Sequence, residues 1–160
     1  MADDSNALRR AYKIPESVLV VIHTADLQVL LLERADRAGF WQSVTGSRNV
    51  ADEPLSLTAA REVAEETGIL VGSARVPQDK LRDWNQHIEY EIYPNWRQRY
   101  APGVTRNVEH HFSLEVPSDI DIVLSPREHL RHRWLPLAEA ASACFSSSNA
   151  AAILQLPAHL

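Results

Sequence analysis

A chain of 160 residues suits one compact domain with a sizeable core and is short for two. Its 16 Lys and Arg against 21 Asp and Glu leave a net charge of -5, which speaks against bulk nucleic acid or an anionic membrane surface as the main partner. Hydrophobic residues at 45% exclude wholesale disorder, and the lone Cys144 excludes an internal disulfide and suits a reducing cytoplasm.

The polar residues 1–12 read as a flexible tail ahead of a single domain over 13–160, with no signal-peptide core and no apolar run near the ~20 residues of a membrane span. SVLVVIH (17–23) and QVLLLER (28–34) are β-branched and aliphatic runs that predict a hairpin. FWQSVTG (40–46) reads as one short strand ending at Gly46, and SRNVADEP (47–54) as a loop. Pro54 suits a first helical turn, and 54–67 predicts a helix with Leu57, Ala60, Val63, Ala64 and Thr67 toward a core and Gly68 as its stop. ILVGSARV (69–76) predicts a further strand, followed by a charged connection through Lys80 and Arg82. HIEYEIYPNW (87–96) alternates, with Ile88, Tyr90 and Ile92 on one side. A Pro-Gly turn flanked by Arg97, Arg99 and Arg106 leads to the strand VEHHFSLEV (108–116); a last strand falls near HLRHRWLPL (129–137), and LAEAASACF (137–145) and NAAAILQL (149–156) read as closing helices. Cys144 reads as a small apolar helix residue rather than a nucleophile, and the seven histidines, without a cysteine pair or HExxH, as surface or hydrogen-bonded groups. Strands around a central helix, with more strands and helices after it, predict an α+β layer fold.

REVAEETG (61–68) is the chemically informative segment. Glu62 and Glu66 are four apart on one helix face, with Glu65 beside them. Like charges at that spacing destabilise a free helix, and a divalent cation taking oxygen ligands is one compensation. Arg61, four before Glu65, is another; a plain solvated acidic face is the bland alternative.

The wider pattern resembles the Nudix box. Glu53, seven residues, then Arg61-Glu62-Val63-Ala64-Glu65-Glu66-Thr67-Gly68-Ile69 fit its second half position by position. Its first half departs, because six residues instead of five separate Gly46 from Glu53. The resemblance implies an α/β/α sandwich, a central mixed sheet between helices, and Mg²⁺- or Mn²⁺-dependent hydrolysis of a phosphoanhydride.

FWQSVTGS, EYEIYP, RYAPGVTRN and EHLRHRWL extend the likeness to the Nudix branch that releases pyrophosphate from 7,8-dihydroneopterin 3'-triphosphate in folate synthesis. That resemblance implies metal ligands at Glu62, Glu66 and Glu128, and a catalytic group of Arg61, Glu62, Glu65, Glu66 and Glu128. It also implies substrate contacts from Lys13, Arg34, Thr45, Tyr90, Glu91, Ile92, Tyr93 and Ser146, with Glu91 and the strand backbone facing the pterin amide edge. Without it, Glu128 after Pro126 reads as a helix-start residue and the basic residues as surface charge. A broader dATP-type triphosphate hydrolase is the alternative, and a non-catalytic binding module a weaker one. The partner expected is a small-molecule triphosphate, with no nucleic acid or membrane; a monomer and a homodimer both remain open.

Overall fold

The computed structural model describes residues 12–160, so that of the expected tail only Tyr12 falls within the described residues. Strands β1 (Glu16–His23) and β2 (Gln28–Arg34) form the expected hairpin. Its turn is closed by Thr24, whose hydroxyl donates to Asp26 and accepts the Gln28 N–H at 3.0 Å. The expected third strand is two pieces, β3 (Trp41–Gln42) on β2 and β4 (Val44–Ser47) antiparallel to β1. Ser43 between them exchanges two hydrogen bonds with the buried Asn149 side chain, each 2.9 Å, so the break is pinned from across the molecule.

Helix α1 (Leu55–Thr67) follows, and Gly68 ends it at φ 75° with its N–H on Ala64 O, a conformation in which a Cβ is strained. Its buried face is Thr58, Ala59, Val63, Glu66 and Thr67. Leu57, expected inward, is 55% exposed, because the helix is rotated to bring Glu66 inside. Residues 69–76 do not form the expected strand. Ile69 and Val76 plug the core while Leu70 stays exposed, and the chain turns between them through Gly72 at φ 93°.

Strand β5 (Leu81–Glu91) begins six residues earlier than the alternation indicated, because a bulge between Asp83 and His87 resets its register. It pairs antiparallel with β6 (Arg106–Glu115), which runs parallel to β1; β7 (His129–Pro136) pairs with β2. The mixed sheet runs β3-β2-β1-β6-β5, with β4 on β1 and β7 on β2. Helices α2 (Leu137–Ala143) and α3 (Ser147–Gln155) close the chain. Cys144 lies just past α2 rather than inside it; it is half-buried, and burial pushes its thiol up to about 12.

Strand alternation sorts the core into two halves. Val18, Val20 and Ile22 face Ala59 and Val63 of α1, while Leu19 and Val21 face Ala140, Ala152 and Ile153 of α2 and α3. The sheet is thus covered on both faces, the expected α/β/α arrangement. Both β4 and β2 pair along β1, β4 at Ser17–Val20 and β2 at His23. Residues around that divergence, Arg34, Gln42, Thr45 and Gly46, line a cleft.

Candidate active site

The site is built on the inward turn of α1. Glu66 is 2% exposed, and neither of its carboxylate oxygens has a hydrogen-bond partner. Burial, then the neighbouring charges of Glu62, Glu128 and Glu65, push its carboxyl well above the ordinary range. Burial and Glu65 raise Glu62 as well. Glu128 arrives from a turn in which its own N–H and that of His129 both donate to Ser125 O at 2.9 Å; it does not start a helix. That turn brings ligand atoms of Glu66, Glu128 and His129 within 4.8 Å of one another. An oxygen-rich set holding a buried, unpartnered carboxylate fits a hard divalent cation.

His129 is neither the surface nor the hydrogen-bonded histidine that the sequence suggests. The side chain is buried, its Nδ1 has no partner, and its Nε2 lies 3.7 Å from Glu66 Oε1. Burial, with help from Arg34, lowers it to about 4, so it is neutral near pH 7. Its position as the first residue of β7, paired with Arg34 on β2, carries no local sequence signal.

Glu53 and Arg61 form the frame behind the glutamates. Arg61 donates from Nε and Nη2 to the two Glu53 oxygens at 3.2 and 2.9 Å, from Nη2 to Ser47 O at 3.0 Å, and from Nη1 to Glu62 at 2.9 Å. Its expected ion pair with Glu65 is longer, at 3.5 Å. Glu53 also accepts from the Asn49 N–H and the Thr58 hydroxyl, and the Arg61 guanidinium with these bonds holds its carboxyl down at about 2. The extra loop residue is absorbed by a turn in which the Glu53 N–H reaches Val50 O, leaving Glu53 in register with Arg61. At Gly46, a Cβ would occupy the place of the Glu62 carboxylate, so this glycine is required for close approach.

Two cavities meet here. The first, of about 470 Å³, has an acidic wall of Glu62, Glu65, Glu66 and Glu128 facing Lys13, Arg34, Arg48, Arg99 and Arg127. The second, of about 300 Å³, is walled by Tyr90, Tyr93, Trp96, Tyr100 and Phe145. Lys13, Arg34, Gln42, Thr45 and Arg99 line both.

All the expected substrate-contact positions line one cavity or both, with differences in how they are used. The Arg34 fork is occupied, with Nε and Nη2 each 2.7 Å from Asp36, Nη1 on Gln42, and its Cζ 4.5 Å from the Trp96 ring centre. Ile92 is buried and Tyr93 is exposed, packed edge-on to Trp96 at 5.1 Å. Tyr90 accepts a hydrogen bond from Asn107 at 3.1 Å, and burial raises its phenol. Glu91 is exposed. Ser146 caps α3 by accepting the Asn149 N–H, which explains why that helix starts two residues before Asn149. Of the three arginines around the Pro-Gly turn only Arg99 faces either cavity; Arg97 donates to Ile92 O and Arg106 pairs with Glu89.

No helix among the described residues is long and apolar enough to cross a membrane. Comparison with known proteins agrees with the geometry. The chain is 44% identical over 147 residues to the dihydroneopterin triphosphate diphosphatase of Escherichia coli strain K12, covering 91% of this chain and 94% of that one. The protein of the same name from Haemophilus influenzae is 42% identical over 91% of this chain and 89% of its own. The solved structure of the E. coli dihydroneopterin triphosphate pyrophosphohydrolase superposes with a TM-score of 0.82 at 44% identity, covering 91% of this chain and 96% of that one. A C. elegans Ap4A hydrolase complex, at 19% identity and a TM-score of 0.65 over 91% and 96% of the two chains, shares the fold. The NUDIX domain profile matches residues 13–156, from Lys13 at the cleft through the closing helix, and a match of that extent makes this chain a member of the Nudix hydrolase family.

Proposed function

We propose that the chain hydrolyses 7,8-dihydroneopterin 3'-triphosphate to dihydroneopterin monophosphate and pyrophosphate, with Mg²⁺ as its cation and Mn²⁺ as a substitute. The observation that carries the chemistry is Glu66, a buried carboxylate with two unpartnered oxygens beside Glu62 and Glu128. The pterin substrate is supported by the names and 44% and 42% identities of the curated relatives.

Glu62, Glu66 and Glu128 would hold the cation, which when bound offsets the charge on the phosphate oxygens. Without a cation the acidic wall would repel a triphosphate, so binding of the two is interdependent. Lys13 and Arg99, facing that wall across the first cavity, neutralise the remaining phosphate charge. Arg34 does the same once its fork leaves Asp36. Arg61 keeps Glu62 oriented without itself needing to touch substrate. Glu128, exposed where its neighbours Glu66 and His129 are buried, is placed to accept the proton of the attacking water. No covalent intermediate is required. The ring system occupies the second cavity, where Trp96 and Phe145 offer flat faces and Ser146 lines the end.

The half-buried Cys144, with its raised thiol, fits work in a reducing cytoplasm. Phosphorus NMR of the products tests the reading. Equimolar dihydroneopterin monophosphate and pyrophosphate, formed only with Mg²⁺ or Mn²⁺ and with a higher kcat/KM than dATP, is the expected result. Orthophosphate release, or preference for dATP, would contradict it.

A further inference from the structure

The second cavity contains a carboxylate that sequence reasoning did not single out. Glu109, on β6, is 4% exposed yet lines this cavity. A glutamate almost never sits so deep without compensation. Its Oε1 is 3.2 Å from His111 Nε2. His111 Nδ1 is 2.9 Å from Gln86 Nε2, and that amide also donates to Gln155 at 2.7 Å.

This chain of contacts has one consistent proton assignment. The Gln86 NH₂ has no acceptor capacity, so His111 Nδ1 accepts and its Nε2–H donates to Glu109. One Glu109 oxygen is thereby held, and no hydrogen bond among the described residues engages the other. The cavity therefore presents a carboxylate, an acceptor-only group, in a lining that also includes Trp96 and Phe145.

We infer that Glu109 is the specificity residue of the second cavity, accepting hydrogen bonds from the adjacent amino and ring N–H donors of a 2-amino-4-oxopyrimidine edge. This inference rests on the reading of the chain as a pterin triphosphate hydrolase and names how the ring is chosen. The 2-amino group and N3–H of a pterin are neighbouring donors that a carboxylate meets with both oxygens. Adenine offers a donor beside an acceptor, which sets a ring lone pair against the Glu109 charge. A cavity of about 300 Å³ is at the small end for ligands, so a flat ring cannot easily reorient to escape that conflict. Glu91, the carboxylate expected to read this edge, is exposed and has no comparable enclosure.

Two measurements test this. In the first, Mg²⁺-dependent hydrolysis of dihydroneopterin triphosphate and dATP is compared for wild type and Glu109→Gln. Glutamine preserves shape and replaces one acceptor by a donor, the pattern that suits adenine. The ratio of kcat/KM for pterin over dATP is expected to fall by about 10- to 100-fold, the range for a lost charge-assisted hydrogen bond. An unchanged ratio, including equal losses on both substrates, overturns the inference.

The second uses wild type alone and needs neither turnover nor a folded variant. Fluorescence titration compares free 7,8-dihydroneopterin with its 2-oxo counterpart, which sets an oxygen against Glu109. Binding of the 2-oxo compound at least about tenfold weaker supports the assignment, and equal affinity overturns it. Failure of the wild type to cleave the pterin triphosphate would instead refute the proposed function, and the titration would still decide the role of Glu109.

Discussion

The Glu62 carboxylate lies against the backbone of Gly46, in the space where any other residue would carry its Cβ. A strand end and a helix face are thereby held at a separation that only glycine permits. Gly46→Ala is expected to displace Glu62 and lower kcat/KM by about 100-fold, the usual penalty for misplacing a reacting group by roughly 1 Å. Circular dichroism should still report a folded sheet. Near-wild-type kinetics in that variant would contradict the packing.

Behind Glu62, the Glu53–Arg61 fork supplies a second prediction. Glu53 is 8% exposed and accepts from Asn49, Thr58 and Arg61. Its folded carboxyl titrates at about 2 against a usual value of 4.5, so its stabilising contribution is full above 4.5 and is lost as pH falls toward 2. Glu53→Gln should cost about 2 kcal/mol in urea unfolding at pH 7, and the gap from wild type should narrow on acidification below 4.5. A constant gap from pH 7 to 3 would count against the assignment.

Glu66 has the opposite sign. Its folded carboxyl is raised from 4.5, so the metal-free native state binds more protons than the unfolded chain over the interval above 4.5. Its ionisation therefore destabilises the metal-free fold as pH rises. Glu66→Gln should raise the Tm of metal-free protein at pH 7, by the equivalent of about 1–3 kcal/mol, because a neutral side chain escapes the cost of burying an ionisable one. Below pH 4.5 the two proteins should melt together. Calorimetry in chelator across that range checks it.

Much of this architecture is readable in the residues, and the exceptions share a cause. The hairpin, α1 and its Gly68 stop follow from local patterning, and the box places Glu62 and Glu66 on one face. Residues 69–76 look like a strand because they are apolar, but Ile69 and Val76 are separate plugs joined by a turn. Leu57 looks inward by periodicity, yet helix rotation is decided by what Glu66 must reach. His129 opens a strand whose next four residues are exposed, and Glu109 lies between two residues of intermediate burial, so neither setting says what covers the side chain. For Glu109 the cover comes from the second cavity wall; for His129 it comes from contact with α1 at Glu66. Such long-range enclosure leaves no trace in nearest neighbours.

Trp96 joins the two cavities, since its ring carries Arg34 at 4.5 Å and Arg99 at 5.9 Å. Trp96→Ala should therefore affect both ring binding and phosphate positioning. A rise in KM of about tenfold for dihydroneopterin triphosphate, with a smaller fall in kcat, is expected from the loss of stacking and cation–π contacts. An unchanged KM would remove Trp96 from the substrate wall.

The most direct test is a Mn²⁺ titration followed by electron paramagnetic resonance, with pyrophosphate release measured on the same samples of wild type and Glu66→Gln. Wild type should bind the ion and release pyrophosphate in proportion to occupancy, while the variant loses the bound signal and at least about 100-fold in rate. A Glu66→Gln protein that keeps both wild-type ion affinity and wild-type turnover would contradict the account.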